Sequence, residues 1–235
     1  MAFKALKAYL RRRQIASRGL GTECKIPKRG YGDGTGLWTI CDSALPENAI
    51  VYSFGVGDDI SWDVQMIERH GVELHAFDPT PRSIEWLESQ TTPKGFSFHG
   101  YGISAEDGFI ELFPPRKDHK IHFTAYKKGS SAETAVRCPC KCLKTIVSEL
   151  GHERVDVLKI DIEGAEMSVL PDILSSGIPV SQLLIEFHYN YPDISLDDTQ
   201  GLIELIRQHG YRNFHVSDRG YEFSFIHESA LQFDS

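Results

Sequence analysis

The chain has 235 residues, 41% apolar and 25% charged, enough for one large α/β domain with a buried core and too few for two. Its 25 basic and 33 acidic side chains leave a net charge of -8, which argues against general nucleic-acid binding, since that needs positive potential opposite the phosphates. No stretch approaches the ~18 consecutive apolar residues of a membrane span, and no continuous apolar secretory run opens the chain, so a soluble, cytoplasmic protein of open oligomeric state is expected.

Residues 1–48 read as an N-terminal helix and cap, and 49–235 as the main domain. Lys4 to Arg18 is densely basic, with Phe3, Leu6, Tyr9 and Leu10 at helical spacing. That pattern suits a frayed, solvated leader helix better than a contact with an anionic membrane or partner. Gly30, Gly32, Gly34 and Gly36 mark a loop that holds Tyr31 and leads to Trp38, two aromatic residues expected to close over a substrate.

From Ala49 onward strands and helices alternate. Ile50–Val56 is an apolar run ending in glycine, as a buried parallel strand should be. Ser61–His70 reads as a helix, Val72–Phe77 as a strand, Pro81–Gln90 as a helix with proline in its first turn, and Phe96–Ser104 as a third strand. Phe109–Phe113, Ile121–Tyr126 and Thr134–Cys142 read as extended pieces of an excursion. Cys138, Cys140 and Cys142 alternate there, a spacing that fits reduced cysteines on one strand face better than a zinc knuckle. Cys24 and Cys41 could pair only in an oxidising compartment. The alternation resumes with helix Leu143–Leu150, strand Val155–Ile162, helix Ala165–Ser175, strand Gln182–His188, helix Leu196–His209 and a closing antiparallel pair, Tyr211–Val216 and Glu222–His227. Such an order implies a doubly wound, mostly parallel sheet with helices on both faces and its ligand beyond the carboxyl ends of the strands.

Four segments carry chemistry. Gly55, Val56, Gly57, Asp58 and Asp59 follow the first strand, where glycines admit a ligand close to the backbone. Ile60 stands where a dinucleotide fingerprint wants a third glycine, and the two acids suit a ligand with sulfonium and ammonium charges better than a pyrophosphate. Asp78, followed by Pro79, ends the second strand, at a spacing common for an acid that binds ribose hydroxyls. Asp161 and Glu163, at the end of a later strand, can share one side, to hold a divalent cation such as magnesium or to accept a proton. Glu186 and His188 end the next strand and point the same way, so all four converge on one candidate catalytic site, with His188 a candidate general base.

The string Leu158–Glu166 (LKIDIEGAE) resembles the signature of FkbM-type methyltransferases. Val51–Asp63 (VYSFGVGDDISWD), His75–Pro81 (HAFDPTP) and Leu184–His188 (LIEFH) are similar to the related methyltransferase-like domain family. The resemblance, over roughly residues 31–227, implies a class I methyltransferase fold with seven strands, Rossmann-like, and S-adenosylmethionine as methyl donor. It implies that Gly55 and Gly57 border the amino-acid part of that cofactor, Asp78 holds the ribose, and Gly102, Ile103 and Ser104 lie near the adenine. Many class I enzymes carry an acid two residues before the first glycine; Ser53 stands there, which leaves Asp58, Asp59 or Asp63 to take over its contacts. The expected reaction is O-methylation of a small-molecule or glycan hydroxyl, with His188 or the Asp161/Glu163 pair as base. An NAD-linked oxidoreductase and a non-catalytic binding module are the alternatives.

Overall fold

The computed structural model describes residues 2–114, 123–125, 135–191 and 193–231. Helix α1 (Ala2–Ser17) opens the chain, followed by a short hairpin, β1 (Arg29–Tyr31) and β2 (Trp38–Ile40). The α/β alternation then runs β3 (Ile50–Phe54), α2 (Ser61–His70), β4 (Glu73–Phe77), α3 (Pro81–Glu88) and β5 (Phe96–His99). A side excursion contributes β6 (Gly102–Ile103), β7 (Gly108–Leu112) and β8 (Val136–Lys141). The second half comprises α4 (Leu143–Leu150), β9 (Val155–Ile160), α5 (Glu166–Ser175), β10 (Val180–Glu186), α6 (Leu196–Gln208), β11 (Tyr211–Val216) and β12 (Glu222–His227).

Seven strands form the central sheet in the order β11-β12-β10-β9-β3-β4-β5. Neighbours from β5 to β10 pair in parallel, whereas β12 runs antiparallel to both β10 and β11. All six residues of β9 are buried, as a central strand covered on both faces requires. On one face Tyr52, Phe54, Leu158 and Ile160 meet α4, α5 and α6. On the other, Val51, Leu74 and Val157 meet Trp62 and Met66 of α2 and Trp38 of the hairpin. A capping box starts α6: Ser195 Oγ accepts from Asp198 N, and the Asp198 carboxylate accepts from Ser195 N.

Several expectations change. The third strand divides, because the chain leaves the main sheet after His99 and Gly102–Ile103 pairs in parallel with β8, in a separate sheet of order β6-β8-β7. Cys138 and Cys140 share the buried face of β8, whereas Cys142 lies past the strand as the N-cap of α4, and all five cysteines are free. In the excursion Thr124 bridges Phe113, while Ile121, His122, Tyr126 and Thr134 lie outside the described residues. No helix among the described residues is long and apolar enough to cross a membrane.

The leader helix is docked, not solvated. Ile15 is 2% exposed within the main core, where Leu20 joins it. Arg12 pairs with Asp218 at 2.5 Å, Arg18 pairs with Asp197, and the Arg11 guanidinium sits 3.8 Å over the Tyr221 ring and donates to Arg219 O. Leu6, Tyr9 and Leu10, which set the helical spacing, lie on the exposed side instead. Arg11 and Arg12 therefore serve the hairpin turn between β11 and β12, and Arg18 serves the start of α6. Ile15→Ala should cost about 2–4 kcal/mol, read as a lower urea midpoint at unchanged slope; an unchanged midpoint would mean the helix contributes nothing to the fold.

Candidate active site

The order of the parallel strands reverses between β3 and β9, and a cleft of about 600 Å³ opens beyond their carboxyl ends. Gly55, with φ +86°, makes the bend after β3. A Cβ there would stand 1.8 Å from Asp161 O, so only glycine lets the loops after β3 and β9 touch. Asp78, at the end of β4, holds that bend from the other side. Its Oδ2 accepts from Val56 N at 3.1 Å and Gly57 N at 3.0 Å, and its Oδ1 accepts from Thr80 N at 2.9 Å and Thr80 Oγ1 at 2.6 Å. Asp59 Oδ1 accepts from Ser61 N, the first residue of α2, at 2.8 Å.

Behind the bend lies a buried polar wall. Ser53 on β3 and Lys159 on β9 are register partners, and Asp63 comes from the first turn of α2. Asp63 is 1% exposed, yet its Oδ1, the Ser53 Oγ and the Trp62 Nε1 all lack a hydrogen-bond partner. Burial pushes the Asp63 carboxyl above its ordinary range, and the positive charge of Lys159 opposes that shift. Lys159 Nζ donates to Gly55 O at 3.2 Å and lies 5.1 Å from the centre of the Trp38 ring. Unpartnered polar atoms are rare in a folded interior, and Asp63 and Trp62, which carry two of them, line the cleft.

The opposite wall is a charged network around His188. Its Nδ1 pairs with Glu166 Oε1 at 2.8 Å, and its Nε2 lies 3.8 Å from Asp161 Oδ1 and 3.6 Å from Glu163 Oε2. Glu166 is held in turn by the backbone N–H groups of Ile162 and Gly164. Burial pulls the imidazolium down, but the bond to Glu166 and the charges of Glu166, Asp161 and Glu163 outweigh it and hold His188 up at about 10. Glu163 adopts a left-handed backbone, φ +53°, unusual for a non-glycine residue, and accepts from the Tyr191 hydroxyl. Glu186 pairs with Arg219 at 2.9 Å, while burial and the charges of Asp161 and Glu222 push its carboxyl up.

Of the residues singled out in the sequence, Gly55, Val56, Gly57, Asp58, Asp59, Asp78, Pro79, Gly102, Ile103, Asp161, Glu163, Glu186 and His188 line the cleft, and so does Trp38. Ser104 does not. Its N–H pairs with Lys141 O in the side sheet. Tyr31 also lies elsewhere, bonded to Asp42 and packed edge-on against His70. In the cleft, one donor atom from each of Asp161, Glu186 and His188 lies within 4.8 Å of the others, and Glu163 accepts from Tyr191. Sequence reasoning gave Glu166 no place in the site, and it passed over Tyr191, Arg219 and Lys159. Tyr191 and Arg219 arrive on loops with no motif, and Lys159 sits inside an apolar strand run.

The methyltransferase FkbM domain matches residues 46–213. The chain belongs to that family. It is 31% identical over 176 residues to probable methyltransferase-like protein 24 of Homo sapiens, covering 70% of this chain and 42% of that protein. It is 26% identical over 227 residues to the Rattus norvegicus protein of the same name, covering 88% and 55%. The FkbM chain thus spans about half the length of these relatives. Among solved structures, the Methanococcus jannaschii fibrillarin pre-rRNA processing protein aligns at a TM-score of 0.49 and 11% identity, over 79% of this chain and 69% of that one.

The charge of His188 links the FkbM site to stability. Its folded pKa lies above the unfolded value of about 6.5, so its contribution is fully present below that pH and is lost as pH rises towards 10. Glu166→Gln should bring the imidazole titration down by more than one unit in NMR and flatten the fall in stability over that window. An unmoved titration would mean that Glu166 does not hold the charge.

Proposed function

We propose that this FkbM domain transfers a methyl group from S-adenosylmethionine to a hydroxyl oxygen of a small molecule or glycan. The observation that carries the reading is the buried Asp63 Oδ1, unpartnered on the cleft wall beside Lys159 and the glycine bend. A zwitterionic amino-acid group suits that wall: its ammonium would meet Asp63, and its carboxylate would meet Lys159. Asp63 thereby takes the place that Ser53 leaves without an acid. Asp78, already turned to the bend, would reach the ribose, and Gly102 and Ile103 would border the adenine.

The strand order favours this donor over NAD. Counted along the central sheet, the strands run third, second, first, fourth, fifth, seventh, sixth, and the seventh is antiparallel. A dinucleotide fold would place its sixth strand directly beside the fifth, in parallel. Ile60 in place of a third glycine argues the same way.

When bound, S-adenosylmethionine supplies a methyl carbon made electrophilic by the adjacent sulfonium. The chain supplies orientation and proton handling. An imidazolium has no lone pair to receive a proton, so His188 acts near neutral pH as a donor that positions Asp161 and Glu163 instead of as the base first expected. The acceptor hydroxyl gives up its proton to Asp161 or Glu163, and Tyr191 fixes the Glu163 carboxylate. Among the described residues, Asp161, Glu163 and Glu186 line that wall, with His188 and Arg219 as its cations and Glu166 behind them, which favours a neutral acceptor over a phosphate or carboxylate.

Calorimetry with S-adenosylhomocysteine and NAD tests the donor. The first should bind and the second should not, and Asp63→Asn should weaken binding by about 10–100-fold, the value of a lost charged hydrogen bond. His188→Gln should keep that affinity within about 3-fold while slowing tritium transfer from labelled donor to hydroxyl acceptors by about 100-fold, the size of a positioning or proton-handling effect. Binding of NAD alone would overturn the reading. Tight S-adenosylhomocysteine binding with no labelled product from any acceptor would leave a binding module without turnover.

A further inference from the structure

A second cluster of ligand-type side chains lies at the opposite end of the sheet from the cleft. Glu73 and His75 sit at the start of β4, and His152 lies in the turn between α4 and β9. Asp78 and Asp161 follow those same two strands at their far ends. We propose that Glu73, His75 and His152 form a binding site for a zinc-class divalent metal ion, separate from the methyl-transfer cleft.

Three features carry the assignment. The first is spacing. One donor atom from each residue lies within 4.8 Å of the others, with His75 Nε2 at 3.0 Å and His152 Nε2 at 3.4 Å from Glu73 Oε1. Zinc bonds of about 2.0–2.1 Å at tetrahedral angles put neighbouring donors about 3.3 Å apart, so these atoms already stand near the edges of such a tetrahedron.

The second feature is the shell behind the donors. Each histidine offers Nε2 to the site and engages its other ring nitrogen: His75 Nδ1 with His99 Nε2 at 2.9 Å, and His152 Nδ1 with the Tyr52 hydroxyl at 2.7 Å. Metal-ligating histidines are held this way, the outer contact fixing both ring orientation and tautomer. The third is access. The histidine side chains are 8% and 10% exposed, which keeps them ordered, while Glu73 is 57% exposed, which leaves room for water as a fourth ligand. Two imidazoles and one carboxylate suit zinc, cobalt or nickel better than magnesium or calcium, which take oxygen ligands. An ion there ties β4 to the turn that leads into the central strand β9.

The test titrates the metal-stripped 235-residue chain with zinc by calorimetry and with cobalt by visible absorption. The variants are Glu73→Gln, His152→Gln and, for the other end of the sheet, His188→Gln. Glu73 is more than half exposed, so its amide variant keeps the fold. The expected result is one equivalent of zinc, intense tetrahedral cobalt bands, and a melting temperature raised by about 5–10 °C at ~100-fold excess over Kd. Glu73→Gln and His152→Gln should each weaken binding at least ~10-fold and abolish the cobalt bands, whereas His188→Gln should leave both intact. Three outcomes overturn the site: no stoichiometric binding, binding unchanged in both β4-end variants, or binding lost only with His188→Gln, which would put the ion in the cleft.

Discussion

The contact between Gly55 and the Asp161 carbonyl sets the geometry of the whole cleft. It brings the loops after the two central strands together at the point where strand order reverses, and no side chain fits between them. Asp78 secures the same bend with two hydrogen bonds accepted from Val56 N and Gly57 N, and is itself held by two more from Thr80. Charge-assisted bonds of this kind contribute about 1.5–3 kcal/mol each when buried. The glycine turn and the acid at the end of β4 are therefore one unit, and a ligand at this acid meets a preorganised surface.

Charge in the cleft is distributed by wall. The α2 side holds one buried acid against one buried lysine, with polar atoms left unpartnered. The α5 side holds a histidine whose proton is retained by a ring of carboxylates. On the proposed reading, the first wall would recognise a zwitterion and the second would manage a hydroxyl proton. The strained backbone at Glu163 lies where the second wall meets the cleft, a position at which strain is commonly tolerated for function.

The hairpin and α1 both pack against the central sheet. Trp38 of the β1–β2 hairpin lines the cleft while its neighbours bond across the central sheet, Ser224 Oγ donating to Thr39 O at 2.8 Å and Gln182 bonding both N and O of Cys41. Helix α1 steadies the β11–β12 turn that carries Arg219 and Tyr221 to the rim.

The sequence by itself determined the α/β alternation, the parallel centre and the candidate turns. Hydrophobic period, glycine at the strand ends and acids beyond them are local properties, written within a few residues of one another, and β3, β4 and β9 follow them closely. The Asp-Ile-Glu-Gly-Ala-Glu string was legible for the same reason. Only the tertiary structure decided that the third strand divides, that α1 docks through Ile15, and that Glu166 holds His188. It likewise decided which acid faces Lys159 and that three distant residues meet at the foot of β4. Those outcomes depend on which surfaces the sheet order brings together, and pairing across long sequence separations leaves no periodic trace in the chain.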